Sequence, residues 1–304
     1  MRFSVLIPTY HNPDSLIRCL DGLEKQTRLP DEVVVLYEEG DEESARILQN
    51  YEGTMDVIPL RLPRMEHMSR TMNRGISKAN GDIIAFLDED VIPERVWMEK
   101  LSAEFKEEEV IACGGKDTII VWGRRIPFPP VDEVGILKWK GYIVGNQHRG
   151  AERRDVMFLK GCNMAIRKEN MRILDENLLG FVRWEQEIFF SLVGEGKRII
   201  YDPSIQVFHV KSRLQYLSSK QTYWYGHNTV YHFCKYLKGL DRFLALTLFY
   251  AFGDPSSPGI IRAVQWMFTR NDQALCSFFT SLLGKGKGLA TYIKGLFCSP
   301  SRGS

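Results

Sequence analysis

Gly81-Asp82-Ile83-Ile84-Ala85-Phe86-Leu87-Asp88-Glu89-Asp90 is an apolar run that ends in carboxylates. Ile83 to Leu87 carry no charge, the pattern of a strand buried on both faces. Asp88 and Asp90 are separated by one residue. Strand alternation puts them on one side if the strand continues, and a tight turn brings them together if it stops. Either way two hard oxygen donors converge on one point, which suits Mg²⁺ or Mn²⁺. A cation held by one or two carboxylates completes its shell with water and phosphates. A solvated acidic turn is the plain alternative, and the buried-strand context weighs against it.

Working outward, the segments before this run alternate between strand and helix patterns. Phe3 to Pro8 reads as a buried parallel strand stopped by proline. Asn12-Pro13-Asp14-Ser15 supplies turn and capping residues, and Leu16, Leu20 and Leu23 then recur at helical spacing up to about Gln26. Glu32 to Leu36 is a second strand, Asp41 to Tyr51 a helix, Asp56 to Arg61 a third strand, and Met68 to Asn80 a helix stopped by Gly81. This order predicts an α/β fold with a mostly parallel, Rossmann-like sheet flanked by helices. Ligands of such sheets bind outside the carboxyl ends of the strands, where Pro8, Tyr37 and Asp88 fall.

Beyond Asp90 the pattern changes. Ile111 to Trp122 reads as one or two strands, and Pro127, Pro129 and Pro130 mark a loop. A strand-like segment runs from Phe158 to Arg167, a helical one from Trp184 to about Gly194, and short strands cover Ile199 to Tyr201 and Val207 to His209. From Tyr216 the sequence is helical and aromatic. The expected division is an α/β domain over 1–212, a helical, aromatic and basic extension over 213–298, and a disordered 299–304.

Composition sets limits on function. A chain of 304 residues can bury a full core, and a formal charge of +2 is too small to argue for a nucleic-acid partner. The six cysteines are scattered with no C-x-x-C pair, which favours reduced thiols over zinc or a disulfide framework. No signal-peptide pattern opens the chain and no apolar run reaches membrane-spanning length. The expected location is therefore cytoplasmic, and the basic, aromatic tail admits peripheral contact at the inner face of the cell membrane.

Five segments recur together in a known order: Ile7-Pro8-Thr9-Tyr10, Met72-Asn73-Arg74-Gly75, Phe86-Leu87-Asp88-Glu89-Asp90, Gly161-Cys162-Asn163-Met164-Ala165-Ile166-Arg167, and Trp184-Glu185-Gln186-Glu187 followed by Gly196 and His209. In these segments, over residues 3 to 212, the chain resembles family-2 glycosyltransferases of the GT-A fold. The resemblance implies inverting transfer of a sugar from a nucleotide-diphospho-sugar donor to a glycan or lipid-linked acceptor. It implies an Mn²⁺ or Mg²⁺ ion on Asp90 and His209, with Asp88 at the ribose or joining the metal set. Pro8, Thr9, Tyr10, Tyr37, Glu38 and Asn73 match donor-binding positions, and Gly161, Asn163 and Trp184 match the acceptor side. Glu185 falls on the catalytic base, with Glu187 as a secondary acidic residue. The chain departs from the family in three places. Trp184 replaces an acidic neighbour of the base. Tyr37 stands at the first acidic position after the second strand, where Glu38 must substitute or Tyr37 must stack on a base. His11 stands between Tyr10 and Asn12.

Two other readings compete. A metal-dependent nucleotidyltransferase also needs a carboxylate pair, but it would carry a Gly-rich basic loop after the first strand, where Ile7-Pro8-Thr9-Tyr10 stands. A non-catalytic glycan- or nucleotide-binding relative would fit the Trp184 departure. In the tail, Gln221-Thr222-Tyr223-Trp224 lacks the arginine of processive synthases. From Lys238 onward eight Lys or Arg stand against three Asp, interleaved with aromatics, which suits a membrane surface or packing on the catalytic domain.

Overall fold

The structure, a computed structural model, describes residues 1–138, 143–192, 196–211, 218–269 and 272–298. The expected boundary near 212, the helix end at Gly194 and the tail 299–304 lie outside the described residues. The chain divides into two compact units. The first comprises Met1–Ile136, Val144–Leu174 and Ile188–Leu214. The second comprises Leu137–Ile143, Asp175–Glu187 and Gln215–Ser304.

The first unit alternates as its sequence pattern predicts: β1 (Phe3–Pro8), α1 (Pro13–Glu24), β2 (Glu32–Glu38), α2 (Glu42–Gln49), β3 (Val57–Leu62), α3 (Met68–Lys78), β4 (Ile83–Leu87), β5 (Val91–Pro93) and α4 (Trp97–Glu104). Three further strands of the main sheet follow, β6 (Val110–Val121), β7 (Asn163–Arg167) and β8 (Arg198–Lys211). They build a ten-stranded sheet whose path runs from the short strand Arg154–Asp155 through β8, β6, β7, β4, β1 and β2 to β3. β4, β1, β2 and β3 pair in parallel, and so do β6 and β8, while β7 is antiparallel to both of its neighbours.

The apolar runs explain this order. Val5, Ile7, Val33, Val35, Ile83, Ala85 and Leu87 are fully buried, because helices cover a parallel sheet on both faces. The two short strands expected at 199–201 and 207–209 form the single strand β8. A register shift between Asp202 and Gln206 gives the interruption that the sequence pattern shows.

The second unit holds α5's first residues (α5 spans Trp184–Phe190) and four further helices: α6 (Ser219–Tyr236), α7 (Gly239–Ala251), α8 (Ile260–Thr269) and α9 (Asp272–Cys298). Ser218 begins α6 with a reciprocal cap. Its hydroxyl accepts from Gln221 N–H, and the Gln221 side chain accepts from Ser218 N–H. α9 lies tightly along α6 because Gly284 and Gly288 carry no side chain. A Cβ there would sit 2.1 Å and 2.4 Å from the carbonyl oxygens of Tyr223 and His227. No helix among the described residues is long and apolar enough to cross a membrane.

Candidate active site

β4 ends at Leu87, and the chain turns through Asp88 and Glu89 into β5. β5 then pairs with β8, setting Val91 opposite His209, and Val210 N–H donates to the Asp90 carbonyl at 2.9 Å. This pairing brings together Asp90 and His209, 119 apart in sequence. His209 Nε2 lies 3.0 Å from Asp90 Oδ2. One ligand atom each from Asp88, Asp90 and His209 falls within 4.8 Å of the others. Neighbouring ligands on an octahedron with bonds of about 2.1 Å are themselves about 3 Å apart, so Asp90 and His209 fit a shared hard cation. The two carboxylates also match the oxygen-donor preference of Mg²⁺ or Mn²⁺.

The electrostatics favour a cation. Burial and the neighbouring Asp90 push the Asp88 carboxyl up to about 6. Burial also opposes charge on Asp90, but hydrogen bonding to His209 and attraction by it hold that carboxyl below its usual range. For His209 burial pulls the imidazole down, yet the nearby carboxylates of Asp117 and Asp90 outweigh it and raise the ring to about 11. The site therefore holds excess negative charge that draws in whatever positive charge is at hand.

Asp117, Lys160 and Cys162 form the other side of His209, and sequence reasoning did not find them. Register carries them there. β6 sets Asp117 opposite Val207, two residues before His209 on the same face of β8, and Asn163 stands opposite Leu87. Asp117 is 1% exposed and ion-pairs with Lys160 Nζ. The sequence signal was an acid inside the strand run Val110–Val121.

Glu89, also unassigned in the sequence, organises the loop after β1. Its carboxylate accepts from Thr9 Oγ1, from Tyr10 N–H at 2.9 Å and from Asn12 Nδ2 at 3.3 Å. Burial outweighs these bonds and pushes its carboxyl up to about 7. Thr9 N–H donates to the Leu36 carbonyl at 2.8 Å, so Pro8, Thr9 and Tyr10 leave the ends of β1 and β2 together. Tyr10 is exposed and meets the ring of His11 edge-on, with centroids 4.8 Å apart.

The other donor-side candidates are engaged with the protein. Tyr37 is half-buried and packs against the main core. Glu38 accepts from Met65 N–H at 2.9 Å, and its second oxygen lies 3.5 Å from His11 Nε2. Asn73 on α3 pairs reciprocally with the backbone of Leu174, donating at 2.9 Å and accepting at 2.8 Å.

On the expected acceptor side, Gly161 is buried in the turn before β7. Asn163 is 1% exposed, and its amide is spent on the fold. Its Oδ1 accepts from Trp97 Nε1 at 2.8 Å, and its Nδ2 donates to the carbonyls of Ile205 at 2.9 Å and Lys116 at 3.2 Å. Arg167 likewise anchors structure, donating to the carbonyls of Val110 and Phe105.

In the second unit, Trp184 and Glu187 are buried while Glu185 is half-exposed. Arg183, just before α5, adopts φ 58, a region L residues rarely occupy. An ion pair with Asp254 and the face of Tyr225, 5.1 Å away, hold it there. Glu187 Oε1 accepts from Lys235 at 2.5 Å, and its Oε2 lies 3.1 Å from His232 Nε2.

Comparison with known proteins places this geometry. Residues 4–172 match the family described as Glycosyl transferase family 2. A dolichol-phosphate mannosyltransferase of Pyrococcus furiosus is 23% identical over 89% of this chain and 79% of its own length. Three other curated glycosyltransferases are 26%, 28% and 28% identical, but the match spans only 32%, 44% and 38% of their lengths. Among solved structures, S. aureus TarS 1-349 in complex with UDP-GlcNAc superposes with a TM-score of 0.62 at 14% identity, over 96% of this chain and 89% of that one. GalNAc-T7 with UDP, GalNAc and Mn²⁺ gives 0.60 at 17% identity, over 84% and 49%. At such identities the structural likeness establishes the fold.

Proposed function

Because the chain belongs to glycosyl transferase family 2, we propose that it transfers a sugar from a nucleotide-diphospho-sugar to an acceptor hydroxyl with inversion. The acceptor we propose is a glycan or lipid-linked precursor of cell-surface glycan, glycolipid or protein-glycan synthesis, as the name of the Pyrococcus furiosus relative supports. The observation that carries this reading is the convergence of Asp88, Asp90 and His209 at the end of β4. These three residues would hold Mn²⁺ or Mg²⁺, the cation in one of the similar structures being Mn²⁺. When bound, such an ion neutralises the charge that develops on the diphosphate as the sugar leaves.

The residues of the chain supply the rest. The loop after β1, tied to Glu89 through Thr9 and Tyr10, together with Tyr37, Glu38 and Asn73, forms the donor side. Glu185 is the general base that takes the acceptor proton as the oxygen attacks the anomeric carbon, a single displacement that inverts configuration. Glu185 is half-exposed at the start of α5. Gly161 and Trp184 belong to the acceptor side. The exposed apolar side chains of α9, Phe279, Leu283 and Phe297 among them, are the surface we assign to peripheral contact with a membrane that carries a lipid-linked acceptor.

The test is a panel of nucleotide-sugars incubated with the chain and Mn²⁺, with release of nucleoside diphosphate as the readout. Release from one donor, lost in Asp90→Ala, supports the reading. No release from any donor, together with no Mn²⁺-dependent binding of any nucleoside diphosphate, overturns it.

A further inference from the structure

His209 lies between two acidic sides that differ in kind. Toward Asp90 its Nε2 is 3.0 Å from Oδ2, and toward Asp117 its Nδ1 is 3.9 Å from Oδ2. The Asp90 side is half-open, whereas Asp117 and Cys162 are buried. Nδ1 of His209 and Oδ1 of Asp117 are both buried without a hydrogen-bond partner. A donor and an acceptor left unpaired in one cluster are costly apart and compatible with each other.

The second side resembles a metal site in composition, since Asp117, Cys162 and His209 also bring their ligand atoms within 4.8 Å. Lys160 decides against that use. Its ammonium already pairs with Asp117, which puts a positive charge where a cation would have to sit. What remains for Asp117 is the imidazole N–H.

We propose that Asp117, its charge balanced by Lys160, is the positioning residue of His209: it takes the Nδ1–H and leaves the Nε2 lone pair for a cation shared with Asp88 and Asp90. This rests on the reading of those three residues as the cation site. Histidines that ligate metals commonly give their second N–H to a carboxylate, which fixes both tautomer and ring orientation. Lys160 keeps Asp117 from serving as a ligand itself and so confines the divalent ion to the half-open side.

The experiment measures Mn²⁺ affinity in the presence of UDP by calorimetry, and UDP affinity in EDTA as a readout of the donor pocket alone. Asp117→Asn is expected to weaken Mn²⁺ binding by about 10- to 100-fold, the usual effect of losing such a partner, while UDP binding in EDTA is unchanged. The double variant Asp117→Asn with Lys160→Gln removes both charges together and leaves no unpaired ion, so it guards against loss of the fold. It should show the same loss of Mn²⁺ affinity. On the unmutated chain with Mg²⁺ and UDP, nitrogen-15 NMR of His209 should place the ring proton on Nδ1. Wild-type Mn²⁺ affinity in the double variant, or the proton on Nε2, overturns the proposal. If Asp90→Ala and His209→Ala both bind Mn²⁺ as the parent does, the cation site itself falls, and the role of Asp117 falls with it.

Discussion

Lys235 donates from Nζ to Oε1 of Glu187 at 2.5 Å, and this pair separates the two acidic candidates of α5. Burial opposes charge on Glu187, but hydrogen bonding and attraction from His232, together with Lys235, hold its carboxyl below the usual range. A carboxylate so committed is a poor proton acceptor. Glu185→Gln should therefore lower turnover by about 10²- to 10⁴-fold, the span of general-base catalysis, with little change in donor affinity. Glu187→Gln should act on stability instead. Breaking a fully buried pair costs about 3–5 kcal/mol, and less is expected here because Lys235 keeps 31% of its side chain in solvent. Turnover numbers and urea midpoints of both variants check this. A dead Glu187→Gln beside an active Glu185→Gln would move the base to Glu187.

Asp90→Ala should abolish the metal-dependent part of nucleoside diphosphate binding while leaving the fold intact. Asp90 is half-buried, and its backbone contact to Val210 survives the substitution. Titration of UDP with and without Mn²⁺ provides the measurement. Metal dependence equal to that of the parent would remove Asp90 from the site.

Much of the first unit was legible in the sequence because its strands are short apolar runs with clear stops. Pro8 and the Gly81 turn mark edges that the structure keeps at Pro8 and Ile83. The pairing of β5 with β8, which joins Asp90 to His209, could not be read from periodicity. It depends on register between strands more than a hundred residues apart. The family resemblance, rather than any local pattern, singled out His209. Asp117 and Lys160 stayed hidden for the same reason, since nothing adjacent in sequence indicates that they meet. Asn163 illustrates the converse limit: its motif was visible, but its three hydrogen bonds to Trp97, Lys116 and Ile205 show an amide bracing the sheet.

Lys285 predicts a pH dependence in the helical unit. It is 1% exposed, and its Nζ donates to the carbonyls of Phe249 and Pro258, each at 2.9 Å. Burial outweighs attraction by Asp254 and lowers the amine from 10.5 to about 8. The folded state thus disfavours the charged form. Below about 8 the penalty is fully present, and between there and 10.5 the unfolded chain binds more protons, so this group adds stability as pH rises. A shift of this size corresponds to about 3 kcal/mol. Urea unfolding at pH 7.5 and 9.5 should show the parent gaining more stability than Lys285→Met. Equal gains would mean that Lys285 titrates normally.

The last prediction concerns the solvent side of α9. This helix of 27 residues buries Ser281, Gly284, Lys285 and Gly288. Phe279, Leu283, Ile293, Leu296 and Phe297 are exposed, an apolar stripe in two groups ten residues apart along a rod of about 40 Å. After Asp272 the chain has no acidic residue, while Lys287 and Lys294 flank the stripe. Apolar anchoring with unopposed positive charge fits an anionic lipid surface better than a second copy of the same basic helix, which would repel it. Truncation before α9 would strip α6 of its partner, so point substitutions are the cleaner probe. Leu283→Asp with Leu296→Asp should abolish co-sedimentation with vesicles rich in anionic lipid and leave circular dichroism unchanged. Binding by the parent should weaken with salt, because exposed charges are screened within about 10 Å at 0.1 M ionic strength. If the parent ignores vesicles and instead forms a dimer that both substitutions disrupt, the stripe is a protein interface and the lipid reading fails.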